Sequence, residues 1–135
     1  MHARTILASL ALLATTTMVQ AAAPSETVKP NFSEAIPNLP GKSLTAVEVL
    51  FPPGAASHPH KHAHSAFIYA YVVSGRIVSQ VEGQPARTYT AGESFHEDPG
   101  AHHLAARNPS STEPAKLLAV FVVDSDEKAL TTPDP

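Results

Sequence analysis

Short runs of apolar residues, separated by Pro and Gly, follow one another along the chain from about residue 43. In the first run, Val47, Val49 and Phe51 share one face, because strand side chains alternate with a period of two, and this face is predicted to meet the core. No window beyond the first 21 residues shows a helical period. The pattern therefore predicts an all-β sandwich or barrel. Its strand-like runs are 43–51, 66–74, 76–82, 86–90 and 115–124.

The first 21 residues have the pattern of a secretory signal peptide. A basic start at Arg4 precedes an apolar stretch over residues 6–19, and Val19 and Ala21 fit the small-x-small cleavage pattern. This stretch is shorter than the roughly 18 residues that a membrane anchor needs, which favours cleavage. Cleavage after Ala21 would leave 114 residues with no membrane segment, in the periplasm or secreted.

The rest of the chain divides into one domain and two ends. Residues 22–42 are Pro-rich and aperiodic, so we expect a flexible arm with no core of its own. Residues 43–124 contain the strand-like runs and are expected to form the barrel domain. Residues 125–135 are expected to be a C-terminal tail. A chain of 135 residues suits one such domain.

Charge and cysteine content exclude several classes of site. The chain has 12 acidic and 9 basic residues, and loss of Arg4 with the signal peptide would change the net charge from −3 to −4. Such a chain has no basic stripe, so nucleic acid is not an expected partner. It has no cysteine, which excludes disulfides and thiolate zinc sites. Its stability must come from its core or from a bound metal.

A histidine occupies every second position of the stretch SHPHKHAHS, residues 57–65, from His58 to His64. On a strand these imidazoles would share one face, with neighbours about 6.6–7 Å apart and the outer two separated by roughly 20 Å. Metal–nitrogen bonds are about 2 Å long, so one ion can bind only a neighbouring pair from a straight strand. The remaining ligands must come from elsewhere, and HEDPGAHHL supplies His96, His102 and His103.

With these histidines, the chain resembles the small single-domain members of the cupin superfamily over about residues 43–124. The first cupin motif reads G-x5-H-x-H-x3,4-E-x6-G, and its matches here are Gly54, His60, His62 and Gly75. The second reads G-x5-P-x-G-x2-H-x3-N, and its matches are Gly92, Gly100 and His103. The resemblance implies a double-stranded β-helix, the cupin jelly-roll barrel, with His60, His62 and His103 holding a metal. It also implies a small-molecule ligand and allows a homodimer, since cupins commonly pair through edge strands.

The glutamate of the first motif is missing. Its position falls on Ala66 or Phe67 when counted from His62, and on Ile68 when counted from Gly75, and no acidic residue lies between Val49 and Val81. Three imidazoles favour a divalent transition metal (Fe, Mn, Ni, Zn or Cu) over Mg²⁺ and Ca²⁺. The candidates for a fourth ligand are His64, if the strand bends, and Gln80 on the next strand.

Two functions are consistent with such a site. The first is an oxygenase-type enzyme acting on a small substrate that chelates the metal, with Glu97 as the candidate catalytic residue that moves a proton. Glu97 could instead be a surface carboxylate. The second function is non-catalytic capture of a small ligand or metal in the periplasm, and fold analogy does not separate the two.

Overall fold

The computed structural model describes residues 22–135, so the predicted signal peptide lies outside the described residues. The described chain consists of β-strands and contains no helix. None of it has the long apolar helix that a membrane crossing by a helix requires. The ten strands are β1 (Thr27–Ala35), β2 (Lys42–Phe51), β3 (His60–His62), β4 (Phe67–Ser74), β5 (Arg76–Val81), β6 (Arg87–Thr90), β7 (Ser94–Glu97), β8 (His102–Arg107), β9 (Ala115–Asp124) and β10 (Thr131–Pro133).

The strands form two antiparallel five-stranded sheets. The first has the order β1-β2-β9-β4-β7 and the second the order β10-β3-β8-β5-β6. Consecutive strands often lie in different sheets, so the chain crosses repeatedly between them, as in a double-stranded β-helix. The all-β jelly-roll prediction is confirmed.

Strand β9 lies at the centre of the first sheet, and its residues alternate between buried and half-buried. The buried positions include Leu117 and Phe121, which face the space between the sheets. On the neighbouring strand β2, Val49 and Phe51 are also buried, and Val47 packs against both core clusters, as the alternation predicted. The inner face of the first sheet is therefore an apolar wall.

The two chain ends differ from the prediction. Residues 27–35 of the expected flexible arm form β1, which pairs with β2, and residues 131–133 of the expected tail form β10, which pairs with β3. All nine residues of β1 are exposed, so backbone pairing rather than burial defines this strand, and no apolar periodicity marks it. Pro30 is tolerated because β1 is an edge strand with a bulge between Pro30 and Phe32.

Gly75 is the single residue between β4 and β5, where the chain passes from the first sheet to the second. Its φ is +72°, and a Cβ there would lie 2.7 Å from the Pro114 carbonyl oxygen and 2.8 Å from the Ala115 Cβ. Glycine is therefore required both for its backbone conformation and for the close approach of β9.

We predict that Gly75→Ala lowers the free energy of unfolding more than Gly83→Ala does, in denaturant titrations. Gly83 has a similar φ of +80°, but nothing lies within 4 Å of a Cβ there, so this control isolates the backbone strain of about 1–2 kcal/mol. Gly75→Ala adds a steric overlap with β9, which we expect to cost at least about 1 kcal/mol more. Equal losses in the two variants would contradict the close approach at Gly75.

Candidate metal centre

The three histidines of the cupin motifs meet between the two sheets. His60 and His62 lie two residues apart on β3, and His103 on β8 is the cross-strand partner of His60. One ligand nitrogen from each lies within 4.8 Å of the other two. His62 and His103 are only 7% and 5% exposed. These three side chains could hold a metal ion.

Hydrogen bonds orient two of the imidazoles. His60 Nδ1 lies 2.8 Å from the His58 carbonyl oxygen, which can only accept, so Nδ1 is the donor and Nε2 keeps its lone pair for a ligand. His103 Nε2 lies 2.8 Å from Ser79 Oγ, which leaves Nδ1 facing the cluster. Such contacts to the second nitrogen of a ligating histidine are typical of metal sites.

His62 has no such partner. Both of its ring nitrogens are buried without a hydrogen bond. An unsatisfied buried polar group costs about 1–3 kcal/mol, and native proteins rarely leave one. A nitrogen with a free lone pair inside an imidazole cluster is a fit for a metal ligand, because coordination would satisfy it.

A carboxylate lies beside the three histidines. Glu97 lies at the end of β7 and is only 4% exposed. Its Oε2 is 3.0 Å from His62 Nε2 and 3.3 Å from His103 Nδ1, yet the geometry gives Oε2 no proper hydrogen bond. Ligands bound at about 2.1 Å lie about 3.0 Å apart in an octahedron and about 3.4 Å apart in a tetrahedron. These two separations are those of adjacent ligands of one ion, while the group whose ligand atoms all lie within 4.8 Å of one another contains the three histidines alone.

The position of Glu97 explains how the cluster has a carboxylate although the first motif lacks one. In the pairing of β4 with β7, Glu97 is the direct partner of Ile68, the position at which the motif glutamate falls when counted back from Gly75. Paired residues project from the same face of a sheet, with their Cβ atoms about 4.5–5.5 Å apart. Glu97, the cross-strand neighbour of Ile68, therefore places a carboxylate near the position expected for the motif glutamate.

The environment sets the protonation of these groups. Burial, which disfavours the charged imidazolium, lowers the pKa of His103 to about 4. Burial acts to raise the pKa of Glu97, but the close approach of His62 Nε2, at 3.0 Å, and the electrostatic influence of the surrounding imidazoles outweigh it and hold that pKa below its ordinary value. A neutral imidazole beside an ionised carboxylate is the form that binds a metal.

The two residues predicted as a fourth ligand do not join the cluster. Gln80 points away from the cavity and its amide nitrogen contacts the Gln84 carbonyl oxygen, while its neighbour Ser79 is the residue of β5 that turns inward. His64 packs against Gly100 and lines a second, polar pocket, which Glu97 also borders. Glu97 also differs from the surface carboxylate considered above, since it is buried. The contact of Glu97 with the histidines depends on the register in which β4 pairs with β7. No local feature of the sequence indicates this register.

The cluster stands in the wall of a cavity of about 330 Å³. Strands β2, β4 and β9 contribute only apolar side chains to this cavity. Residues from β1 and β10 also line it, so the two chain ends help to enclose it. The arrangement places atoms that could ligate a metal against a largely apolar cavity.

The chain matches the cupin domain model over residues 47–121, more than half of its length, and therefore belongs to the cupin family. No curated protein matched it.

Solved structures show the same fold. A protein with a double-stranded β-helix domain from Klebsiella pneumoniae is 19% identical, with a TM-score of 0.63, over 84% of this chain and 90% of that one. A recombinant oxalate oxidase in complex with glycolate is 22% identical, with a TM-score of 0.58, over 73% of this chain and 51% of that one. The DMSP lyase DddQ from Ruegeria pomeroyi is 27% identical, with a TM-score of 0.55, over 68% of this chain and 45% of that one. This chain thus spans only about half the length of either enzyme.

Proposed function

We propose that this protein is a metal-dependent enzyme of the oxygenase type, which binds one divalent transition metal and acts on a small molecule that chelates it. The ligands are His60, His62, His103 and Glu97. The observation that carries this proposal is the group of buried ligand atoms without hydrogen bonds, His62 Nε2 and Glu97 Oε2, at the wall of an apolar cavity. Three nitrogens and one carboxylate oxygen suit Fe, Mn, Ni, Zn or Cu better than Mg²⁺ or Ca²⁺.

A bound metal would supply a Lewis acid and an oxygen-binding centre. Other residues of this chain hold the proposed ligands in position for the ion. Ser79 and the His58 carbonyl hold the imidazoles of His103 and His60 in place. The buried Glu97 carboxylate would offset one positive charge of the ion, and the apolar walls limit contact of the centre with water, which strengthens electrostatic interactions there.

The structural neighbours support chemistry on small molecules in this fold. The oxalate oxidase was solved with glycolate, and the DMSP lyase acts on a different substrate. Because one fold hosts many reactions, neither activity transfers to this chain. Oxygen chemistry is proposed on the donor set and the largely apolar cavity beside it.

We predict that the protein carries about one metal ion per chain and that His62→Ala retains less than about a tenth of it, measured by mass spectrometry of the metal content. His96→Gln is the matched control, because His96 is an exposed histidine that stacks on Phe67 outside the cluster. The metal centre is ruled out if His62→Ala and His96→Gln carry the same amount of metal as the wild type.

We predict that Glu97→Gln, which keeps the size of the side chain but removes its charge, lowers metal affinity at least about tenfold and changes the visible spectrum of the Co²⁺-loaded protein. Both effects follow if Glu97 is a ligand. If Glu97 only moves a proton, affinity and spectrum stay as in the wild type while turnover is lost. That result would return Glu97 to the catalytic role suggested by the sequence.

Oxygen uptake tests the enzymatic part of the proposal. With iron or manganese bound, we expect uptake with at least one member of a panel of catechols, β-diketones and thiols, and none with His62→Ala. No uptake across the panel, with metal bound at full occupancy, would favour the alternative of a non-catalytic cupin that captures a small ligand.

Export is proposed on the N-terminal pattern alone. We predict that the full chain, expressed in a Gram-negative host, is recovered from the periplasm with an intact mass that lacks about the first 21 residues. A matched variant with Leu10→Arg and Leu12→Arg interrupts the apolar stretch and should stay in the cytoplasm at full length. Full-length wild type confined to the cytoplasm would refute export.

A further inference from the structure

We infer that the cavity takes a molecule with an apolar body and one monoanionic head group that chelates the metal through two oxygens. This inference rests on the proposed function, because the head group needs a bound metal. It adds a substrate class, which the ligand set alone does not define.

The walls of the cavity require an apolar body. The apolar side chains that line it include Val49 and Phe51 from β2, Ile68 from β4, and Leu117 and Phe121 from β9. These three strands contribute no polar side chain to the cavity. An apolar cavity of about 150 Å³ accepts benzene, so the roughly 330 Å³ here holds a ring with several further atoms. A very small dianion such as oxalate would leave most of this apolar surface against water, which is unfavourable.

The charges of the site require a single negative charge on the head group. A divalent ion with the Glu97 carboxylate carries a net charge of +1, which one monoanion neutralises. Among residues 22–135, no lysine or arginine lines the cavity, and the other acidic side chain lining it, the half-buried Glu26, repels any further negative charge. A second negative charge on the ligand would therefore be buried without a cationic partner, which is costly.

Two hydroxamates with the same chelating group test this inference. The protein is loaded with Ni²⁺, a redox-stable ion among the candidates, and titrated by calorimetry with benzohydroxamate, acetohydroxamate and oxalate. Relative to free Ni²⁺, we expect benzohydroxamate to bind at least about tenfold more tightly than acetohydroxamate, because only its ring fills the chamber. Equal relative affinities, or tightest binding by oxalate, would overturn the inference.

Ala119→Leu tests whether the cavity itself produces the preference. Ala119 lines the cavity, and a larger side chain there would occupy the space for the ring. We expect this variant to lose the preference for benzohydroxamate while it still binds acetohydroxamate, which also reports that the site is folded. Val120→Leu is the matched control, since Val120 is the next residue of β9 and faces away from the cavity. A preference that survives in Ala119→Leu would count against a ligand in this chamber.

The metal content, measured before and after titration, separates the two proposals. A protein that binds no Ni²⁺ overturns the proposed function and this inference with it. A protein that holds Ni²⁺ but shows no preference for the ring overturns only the inference. Removal of Ni²⁺ by benzohydroxamate, without a stable ternary complex, also counts against it.

Discussion

The buried carboxylate of Glu97 is the group on which the centre depends. An ionised carboxylate at 4% exposure is stable only if positive or donating groups surround it, since an isolated buried charge is very costly. The imidazole nitrogens of His62 and His103 lie 3.0 and 3.3 Å from it without a proper hydrogen bond, so the proposed metal ion would supply the compensating positive charge. Both imidazoles lie on the second sheet and Glu97 on the first, so this one contact also joins the two sheets around the cavity.

The rest of the fold positions that contact. Strand β3 lies between β10 and β8, so the short segment that bears two histidines is paired on both edges. Strand β7 is tied to β4, and β4 to the long central strand β9. The same strands β4 and β9 supply apolar walls next to the ligands. The positions of the histidines and Glu97 and the apolar lining of the cavity therefore come from one set of pairings.

The parts of the structure with a local signal were predictable from the sequence. The alternation in β2 and the apolar run of β9 predicted buried strands, and the spacing of His60 and His62 predicted a shared face. Strand β1 was not predicted, because none of its side chains is buried. Its sequence therefore has no apolar periodicity to indicate that it pairs with a neighbouring strand. The contact of Glu97 with His62 and His103 was not predicted, because its place opposite Ile68 is decided by the register of strands distant in sequence. Such a register results from packing of the whole sheet.

The pairing of Ile68 with Glu97 also bears on how such centres change during evolution. A functional group can pass from one strand to the facing residue of its neighbour while its position in space is nearly kept. If Glu97 is the fourth ligand, each strand can then diverge while a carboxylate stays beside the histidines. Some family members appear to lack an essential residue at its usual position in the sequence. For these, the residues paired with that position on the neighbouring strands should be compared as well, because a substitution on one strand can be compensated on the next.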